Sequence, residues 1–488
     1  MKISRRVLYA LALVAVVGCV FVYSNAPRIF RGAHGEHIIE IRNDGFYPST
    51  LIIDQGEKVT FITKRKLPFW PASNVHPTHT VYPEFDAKRP VLPAESWEFQ
   101  FDRAGTWNFH DHLAAAFIGS ITVRAKGENT VAASICSDEH STECWESRLL
   151  NELNSRGLDA AFDLVSEFYA TEPGFPVFCH GLAHNIGLAS YRLYVKDPAS
   201  VLSPKTSYCA MGFYHGFMEG LLSVTRDIHE AKDFCTYVGK ELGTESPDAE
   251  LQCYHGIGHG AMDMTVSGGN ISKASDLLSP ALRFCEEASD TDLQLYRCAS
   301  GAFNGIANFY TSHEYGLSVD EKDPLALCHT QADVYKDSCY GNMNTVLTWL
   351  AQKQGDFVGA GKFIEKIPDK KYAASTMRYY SNLSNLHIFK YAGEQGLNAC
   401  RQFSQELVYP CIEGLVTGHL EHGTPGEEYR GAVAFCRLGT MEKGEREACL
   451  KYALGNLDGF YSSEKAKEIC STLPSDEKIF CPKSLSTI

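Results

Sequence analysis

The sequence predicts a protein in two folded parts, a β-sandwich followed by an all-α array of helix pairs held by disulfides. Three observations predict it. Short alternating apolar runs crowd residues 37–124, which contain no cysteine. A spacing C-x-x-G-x-x-[HN]-G recurs at Cys209, Cys253 and Cys298. Of the 17 cysteines, all but Cys19 lie after residue 130. A chain of 488 residues also exceeds what one core supports.

At the N-terminus, Lys2, Arg5 and Arg6 precede an apolar run from Val7 to Tyr23. A basic start before an apolar run directs a chain to a membrane, leaving the charges in the cytoplasm and the rest outside. For residues 1–24 three forms stay open. One is an uncleaved signal-anchor, although the run is at the short end for a spanning helix. The second is a lipoprotein signal with Cys19 as lipid anchor in Val16-Val17-Gly18-Cys19, which the apolar Val20-Phe21-Val22-Tyr23 fits poorly. The third is a cleaved signal. The expected location is therefore a cell membrane, with a single N-terminal anchor as membrane partner. The folded domains then lie on the periplasmic or extracellular side. Residues 25–36 read as a linker. The net charge of −14 argues against nucleic acid or an anionic bilayer surface as a partner.

The strand signals come next. His37–Arg42 alternates in part, Leu51-Ile52-Ile53 is a short apolar run, and Lys58–Thr63 alternates. Trp97–Phe101 alternates cleanly, and Ile118–Val123 closes the set. Gly45, Pro48, Gly56, Pro93 and Gly105 punctuate them. Many short strands in so few residues predict a sandwich.

The order of segments carries a resemblance. Gly45-Phe46-Tyr47-Pro48 is followed by Gly56–Phe61, His79-Thr80-Val81, Gly105–His110 and Gly119–Val123. This resembles a cupredoxin domain across most of 37–124. The resemblance implies a blue-copper site of two His, one Cys and usually a Met. His79 falls where the first ligand stands in the family. Asp111 stands in place of the Cys, Ala114 near the second His position and Phe117 near the Met. Without a thiolate no blue centre is expected. What remains is His76-x-x-His79 on one loop and His110-Asp111-His112 on another. In a cupredoxin these loops meet at one end, where four imidazoles and a carboxylate can hold copper or zinc. Phe69, Trp70 and Pro71 precede the first loop and are expected to shield it.

After the linker 125–130 the texture turns helical. Periodic stretches run over 145–153, 158–169, 280–288 and 347–364, with Ser279 and Pro280 suited to an N-cap and first turn. The helical domain is expected to span 131–488. Its sixteen cysteines pair in sequence order. Cys136 is expected to join Cys144, Cys179 to join Cys209, Cys235 to join Cys253, and Cys285 to join Cys298. Cys328 is expected to join Cys339, Cys400 to join Cys411, Cys436 to join Cys449, and Cys470 to join Cys481. Five of the eight separations lie between 11 and 13 residues. That spacing suits a bridge across the turn of a helix pair, and an even set implies disulfides in an oxidising compartment. The pattern resembles disulfide-rich tetratricopeptide-type repeats. Residues 365–395 hold no cysteine and read as a repeat without its bridge.

The polar positions of the repeat are His184, His215, His259, Asn304 and Asn344, about 31 to 45 residues apart. A glycine inside a helix costs about 1 kcal/mol, so its recurrence three residues after each cysteine predicts close helix approach. Three readings of the polar ladder stay open. It is an internal hydrogen-bond ladder to backbone carbonyls, a groove for a peptide, glycan, lipid head group or protein ligand, or a metal or catalytic site. The last reading rests on the i, i+4 pairs His180/His184 and His255/His259 together with His215. No zinc-protease motif, nucleophile elbow, phosphate loop or dinucleotide fingerprint is present, and no catalytic residue is assigned. Three functions follow. The first is an extracytoplasmic metal protein, expected to bind copper, with a redox or metal-handling role. The second is a binding scaffold whose sandwich is only structural. The third is a metal-dependent oxidase or hydrolase.

Overall fold

The computed structural model describes residues 37–76, 78–125, 141–266 and 271–483. The expected anchor at 1–24 and the linker 25–36 lie outside them. Among the described residues no helix is long and apolar enough to cross a membrane.

Eight strands form two four-stranded sheets. In chain order they are β1 His37–Arg42, β2 Gly45–Tyr47, β3 Thr50–Asp54, β4 Lys58–Thr63, β5 Pro71–Ser73, β6 Ser96–Gln100, β7 Gly105–Asp111 and β8 Ala114–Arg124. One sheet has the order β2-β1-β4-β6 and the other β3-β8-β7-β5. The alternation read in the sequence becomes inward burial: Ile39, Ile41, Val59 and Phe61 are buried. Aromatic rings fill the space between the sheets, with Phe61 edge-on to Phe109 at 5.5 Å. This is the cupredoxin-like sandwich. β2 and β5 carry no usable alternation, being three residues each, and they went unpredicted. β5 matters most for the site. It pairs antiparallel with β7, setting Ala72 opposite His110 and Pro71 opposite Asp111.

The rest is helical. The first helices are α1 Ser141–Arg156, α2 Leu158–Thr171, α3 Phe175–Tyr194, α4 Gly212–Thr225, α5 Ile228–Leu242, α6 Ala249–Val266, α7 Ala274–Ala288 and α8 Asp292–Ser312. Then follow α9 Ala326–His329, α10 Asp333–Asn342, α11 Asn344–Gln354, α12 Phe357–Gly361, α13 Lys370–His387, α14 Gly393–Cys400 and α15 Gln405–His422. Five further helices, α16 Glu428–Cys436 to α20 Ser475–Lys478, complete the array. Helices α3, α4, α6, α8, α10, α13 and α15 pack one against the next. The row curls back on itself. The Ala210 amide donates to Glu421 O at 3.1 Å, and the Tyr169 hydroxyl donates to His422 O. The array is therefore curved into a near-closed ring rather than an open solenoid.

The repeated glycines mark where neighbouring helices touch. A Cβ on Gly212 or Gly216 would overlap the carbonyl oxygen of His180 or His184. One on Gly256 would overlap that of Tyr214, and one on Gly301 that of His255.

Among the described residues seven disulfides staple the helices. Cys179 is joined to Cys209, Cys235 to Cys253, Cys285 to Cys298 and Cys328 to Cys339. Cys400 is joined to Cys411, Cys436 to Cys449 and Cys470 to Cys481. These seven follow sequence order. Of the eighth expected pair, Cys144 is buried in α1, and Cys136 lies outside the described residues. The bridges do not all cross one short turn. Cys179 and Cys209 stand 30 residues apart, and the chain between them includes the rest of α3 and a long connection to α4.

Two helix boundaries differ from expectation. Pro280 is not in a first turn but inside α7, which begins at Ala274. Asp276 starts that helix, its carboxylate accepting from the Ser272 amide at 3.0 Å and the Lys273 amide at 3.1 Å. The stretch 347–364 is broken, because Gly355 takes a left-handed φ of 66° and ends α11. The helical domain rests on the sandwich through α1 against β7 and α4 against β8.

Candidate metal centre

His76 and His79 sit on the loop after β5, His110 is near the end of β7, and His112 opens the turn to β8. The β5–β7 pairing draws the two loops together. One nitrogen from each of the four rings lies within 4.8 Å of the others. His76 Nδ1 faces His110 Nε2 at 3.0 Å, and His79 Nε2 faces His112 Nδ1 at 3.0 Å. Donors bound to one tetrahedral ion at about 2.0–2.1 Å stand at about this mutual distance. None of the four residues is more than 3% exposed.

Three of the four outward nitrogens have a hydrogen-bonding oxygen, and the fourth, on His76, faces two carboxylates without a bond. His79 Nδ1 lies 2.7 Å from Asp86 Oδ2, and His110 Nδ1 lies 3.1 Å from Asn74 Oδ1. His112 Nε2 lies 2.9 Å from the Tyr315 hydroxyl and 3.2 Å from Glu314 Oε2. His76 Nε2 faces Asp263 Oδ2 at 3.4 Å and Glu219 Oε2 at 3.7 Å. Asp86 is itself fixed. Trp70 Nε1 donates to it at 2.7 Å, and the Trp70 ring lies 4.5 Å from that of His112. Trp70 thus shields the cluster and holds its outer carboxylate.

Burial pushes His112 down to about 3 and His110 well below the ordinary histidine value, with neighbouring imidazoles adding to the effect. Burial also lowers His79, against the pull of Asp86. These rings are neutral near pH 7, the form that ligates metal. His76 is the exception: burial alone would lower it, but the Glu219 and Asp263 carboxylates outweigh that and raise it to about 9.

The carboxylate expected within the cluster is not there. Asp111 turns away, pairing with Arg65 at 2.9 Å and accepting from the amides of Trp70 at 2.8 Å and Leu113 at 3.2 Å. Strand alternation sets the residue between His110 and His112 on the opposite face, and the β7–β8 pairing is irregular at His110/Asp111. Asp111 is a tie between loops.

On the helical side, His215, His255 and His259 form a second group within 4.8 Å. The rings of His215 and His259 stack 4.7 Å apart, and His255 Nε2 lies 3.3 Å from His259 Nε2. Burial lowers all three, His259 to about 3. The expected pair His180/His184 does not converge. His180 Nδ1 donates to the Cys209 carbonyl at 3.0 Å, while His184 Nε2 turns to Glu219 Oε2 at 3.0 Å. The imidazole ladder ends at α6. Asn304 accepts from Asn308 at 3.3 Å, and Asn344 donates to the Gly341 carbonyl of its own turn.

Sequence reasoning passed over Asp86, Asp263, Glu314 and Tyr315. Helical spacing offered a signal for one of these acids and for its neighbour Glu219. His215/Glu219 and His259/Asp263 are each four residues apart on a helix, hence on one face. Glu314 and Tyr315, in the turn after α8, carried no comparable pattern.

Compared with known proteins, the chain matches no family model and no curated sequence. Among solved structures it is similar to amicyanin variants. One is a reduced Cu(I) form at pH 4, with 18% identity and a TM-score of 0.17, covering 20% of this chain and 95% of that one. Another is an oxidised form, also at 18% identity and 0.17, covering 19% and 87%. A third is a Cu(I) form at 19% identity and 0.17, covering 20% and 95%.

Proposed function

We propose that this protein binds copper between His76, His79, His110 and His112, and that it serves metal handling or electron transfer on the outer side of a cell membrane. The observation that carries the reading is the outward half of the four rings. Each ligating imidazole in a metal site gives its second nitrogen to a carboxylate, carbonyl or similar oxygen, which fixes ring and tautomer. For His79, His110 and His112, respectively, Asp86, Asn74 and Tyr315 with Glu314 stand in those places. An all-imidazole set suits copper and zinc, and copper binds tighter in the divalent order. Copper held there supplies one-electron chemistry without a thiolate, so the centre is not blue. The seven disulfides fit an oxidising compartment, and the basic and apolar start of the sequence fits a membrane tether.

The test is elemental analysis and copper titration of the full chain produced in an oxidising compartment. The expected result is tight copper with nitrogen-coupled paramagnetic resonance and no intense band in the red. A chain that binds copper no tighter than a His79→Ala, His110→Ala variant would make the sandwich a structural spacer.

A further inference from the structure

The four-imidazole cluster uses one nitrogen of His76 and leaves the other facing the helical array. There His76 Nε2, Glu219 and Asp263 form a group of their own, with one donor from each lying within 4.8 Å of the others. Glu219 comes from α4 and Asp263 from α6, so three separate segments meet. His76 and Glu219 are at most 2% exposed. His76 Nε2, Glu219 Oε2 and Asp263 Oδ2 are each buried without a hydrogen-bond partner among the described residues. His184 Nε2 approaches Glu219 Oε2 at 3.0 Å, but not in the alignment of a hydrogen bond.

Two carboxylates held side by side away from water repel each other and lose their hydration. Such pairs are tolerated when they share a proton or when a cation lies between them, and burial beside Asp263 does raise the Glu219 carboxyl well above its ordinary value. Among the described residues no lysine or arginine pairs with either, and their ion-pair partners are all histidines. One imidazolium at His76 offers a single N–H to two acids, which leaves an oxygen unmet. A divalent ion satisfies both carboxylates and the ring nitrogen together.

We infer that Glu219, Asp263 and His76 Nε2 bind a second divalent cation, and that the His76 ring stands between two metal ions as an imidazolate, its Nε2 proton leaving to solvent as the second ion binds. The carboxylate site stands on its own geometry; the shared ring rests on the four-imidazole reading above. His184 Nε2 supplies a fourth donor beside Glu219. Two carboxylates with imidazole nitrogen make a mixed oxygen–nitrogen set, which suits zinc-type first-row ions rather than calcium or magnesium. The second ion would lock the sandwich to the ring of helices, since its ligands come from both.

The experiment uses the full chain, stripped with a chelator and reloaded with Zn(II) alone or Cu(II) alone, with ions per chain counted after desalting. Two double variants are compared with the parent, Glu219→Gln with Asp263→Asn, and His79→Ala with His112→Ala. Each should lose one ion per chain. In the copper-loaded parent, the paramagnetic resonance intensity should fall short of the bound copper, because a shared imidazolate couples the two spins. The amide variant should regain full intensity per copper. Circular dichroism of the metal-free forms checks folding, and Asp263→Asn alone carries the same comparison where the double variant does not fold. An amide variant that keeps every ion overturns the second site. Uncoupled copper with both ions bound overturns the shared ring. A loss confined to the amide variant keeps the carboxylate site and overturns the four-imidazole one.

Discussion

The two histidine clusters are alike in crowding and burial but not in how their rings are held. In the sandwich each of the four rings faces inward with one nitrogen, and three of them give the other to a hydrogen-bonding oxygen. In the array, His215, His255 and His259 meet chiefly one another, with the His215 ring 4.7 Å from each of the other two. Their nearest carboxylate oxygen is Glu219 Oε1, 3.6 Å from His259 Nδ1. The difference follows from where the residues sit. Loops at the end of a sandwich can aim four rings at a point, with a second layer of loop behind them. Helices packed at glycine distance bring rings together against one another. Proximity of imidazoles alone therefore does not mark a metal site; the outer partners do.

The largest effect that separates the clusters is loss of the inner ligands. His110→Ala with His112→Ala should abolish tight copper binding, whereas His215→Ala with His255→Ala should leave the tightest copper site unchanged in titration calorimetry. Equal loss from both would show that the clusters act as one site. Next in size is an outer partner. Asp86→Asn keeps the shape but not the charge behind His79, and should weaken copper by about 10–100-fold. Parental affinity in that variant would remove the reason for distinguishing the clusters at all.

How much of this could be read from the sequence depends on range. His76, His79, His110 and His112 were legible because a cupredoxin-like order of segments places their loops at one end. The close helix approach was legible because a costly residue, glycine, recurs at a fixed place in the helical repeat. The bridges from Cys328 to Cys339, Cys400 to Cys411, Cys436 to Cys449 and Cys470 to Cys481 were legible because a short turn leaves each cysteine one near partner. The sheet partner β5 was not, since three residues cannot show a period. Nor was the meeting of Glu314, Tyr315 and Asp263 with the sandwich, which arises from docking two folds far apart in the chain. Asp111 misled for a local reason. It lies between two inward histidines, so alternation sends it to the other face, where it pairs with Arg65. The N-cap assigned to Ser279 failed because Asp276 already starts that helix.

A smaller effect concerns the stacking of the array. Gly301→Ala would place a methyl on the His255 carbonyl, which as backbone cannot swing away. Overpacking of this kind costs about 1–3 kcal/mol, more than the helix-propensity gain of about 1 kcal/mol. Gly444→Ala, where the nearest atom is the Tyr409 hydroxyl at 3.5 Å, should instead be neutral or stabilising. Thermal melts should therefore show a loss for Gly301→Ala and none for Gly444→Ala. An equal loss in both would mean that the glycine spacing does not set helix approach.

The smallest expected effect is a pH dependence at the other edge of the domain contact. Glu146 on α1 accepts from Asn74 at 2.6 Å and Asn108 at 3.1 Å in the sandwich, and from Asn185 on α3 at 2.6 Å. Burial raises its carboxyl to about 7 despite these three bonds, and burial also raises nearby Glu143 to about 7. A carboxyl raised in the folded state holds its proton there when the unfolded chain has already lost it. Between the ordinary carboxylate value and about 7 the folded state binds more protons, so stability falls as pH rises through that window. Below it both states are protonated, and the contribution is flat. Glu146→Gln keeps the shape of the protonated group and removes its titration. The melting temperature of the parent should therefore drop between about pH 5 and pH 8 more than that of Glu146→Gln, with the variant gaining relative to the parent at the alkaline end. Parallel profiles would show that Glu146 is solvated enough to ionise freely, and that this edge of the contact opens to water while the histidine edge stays closed.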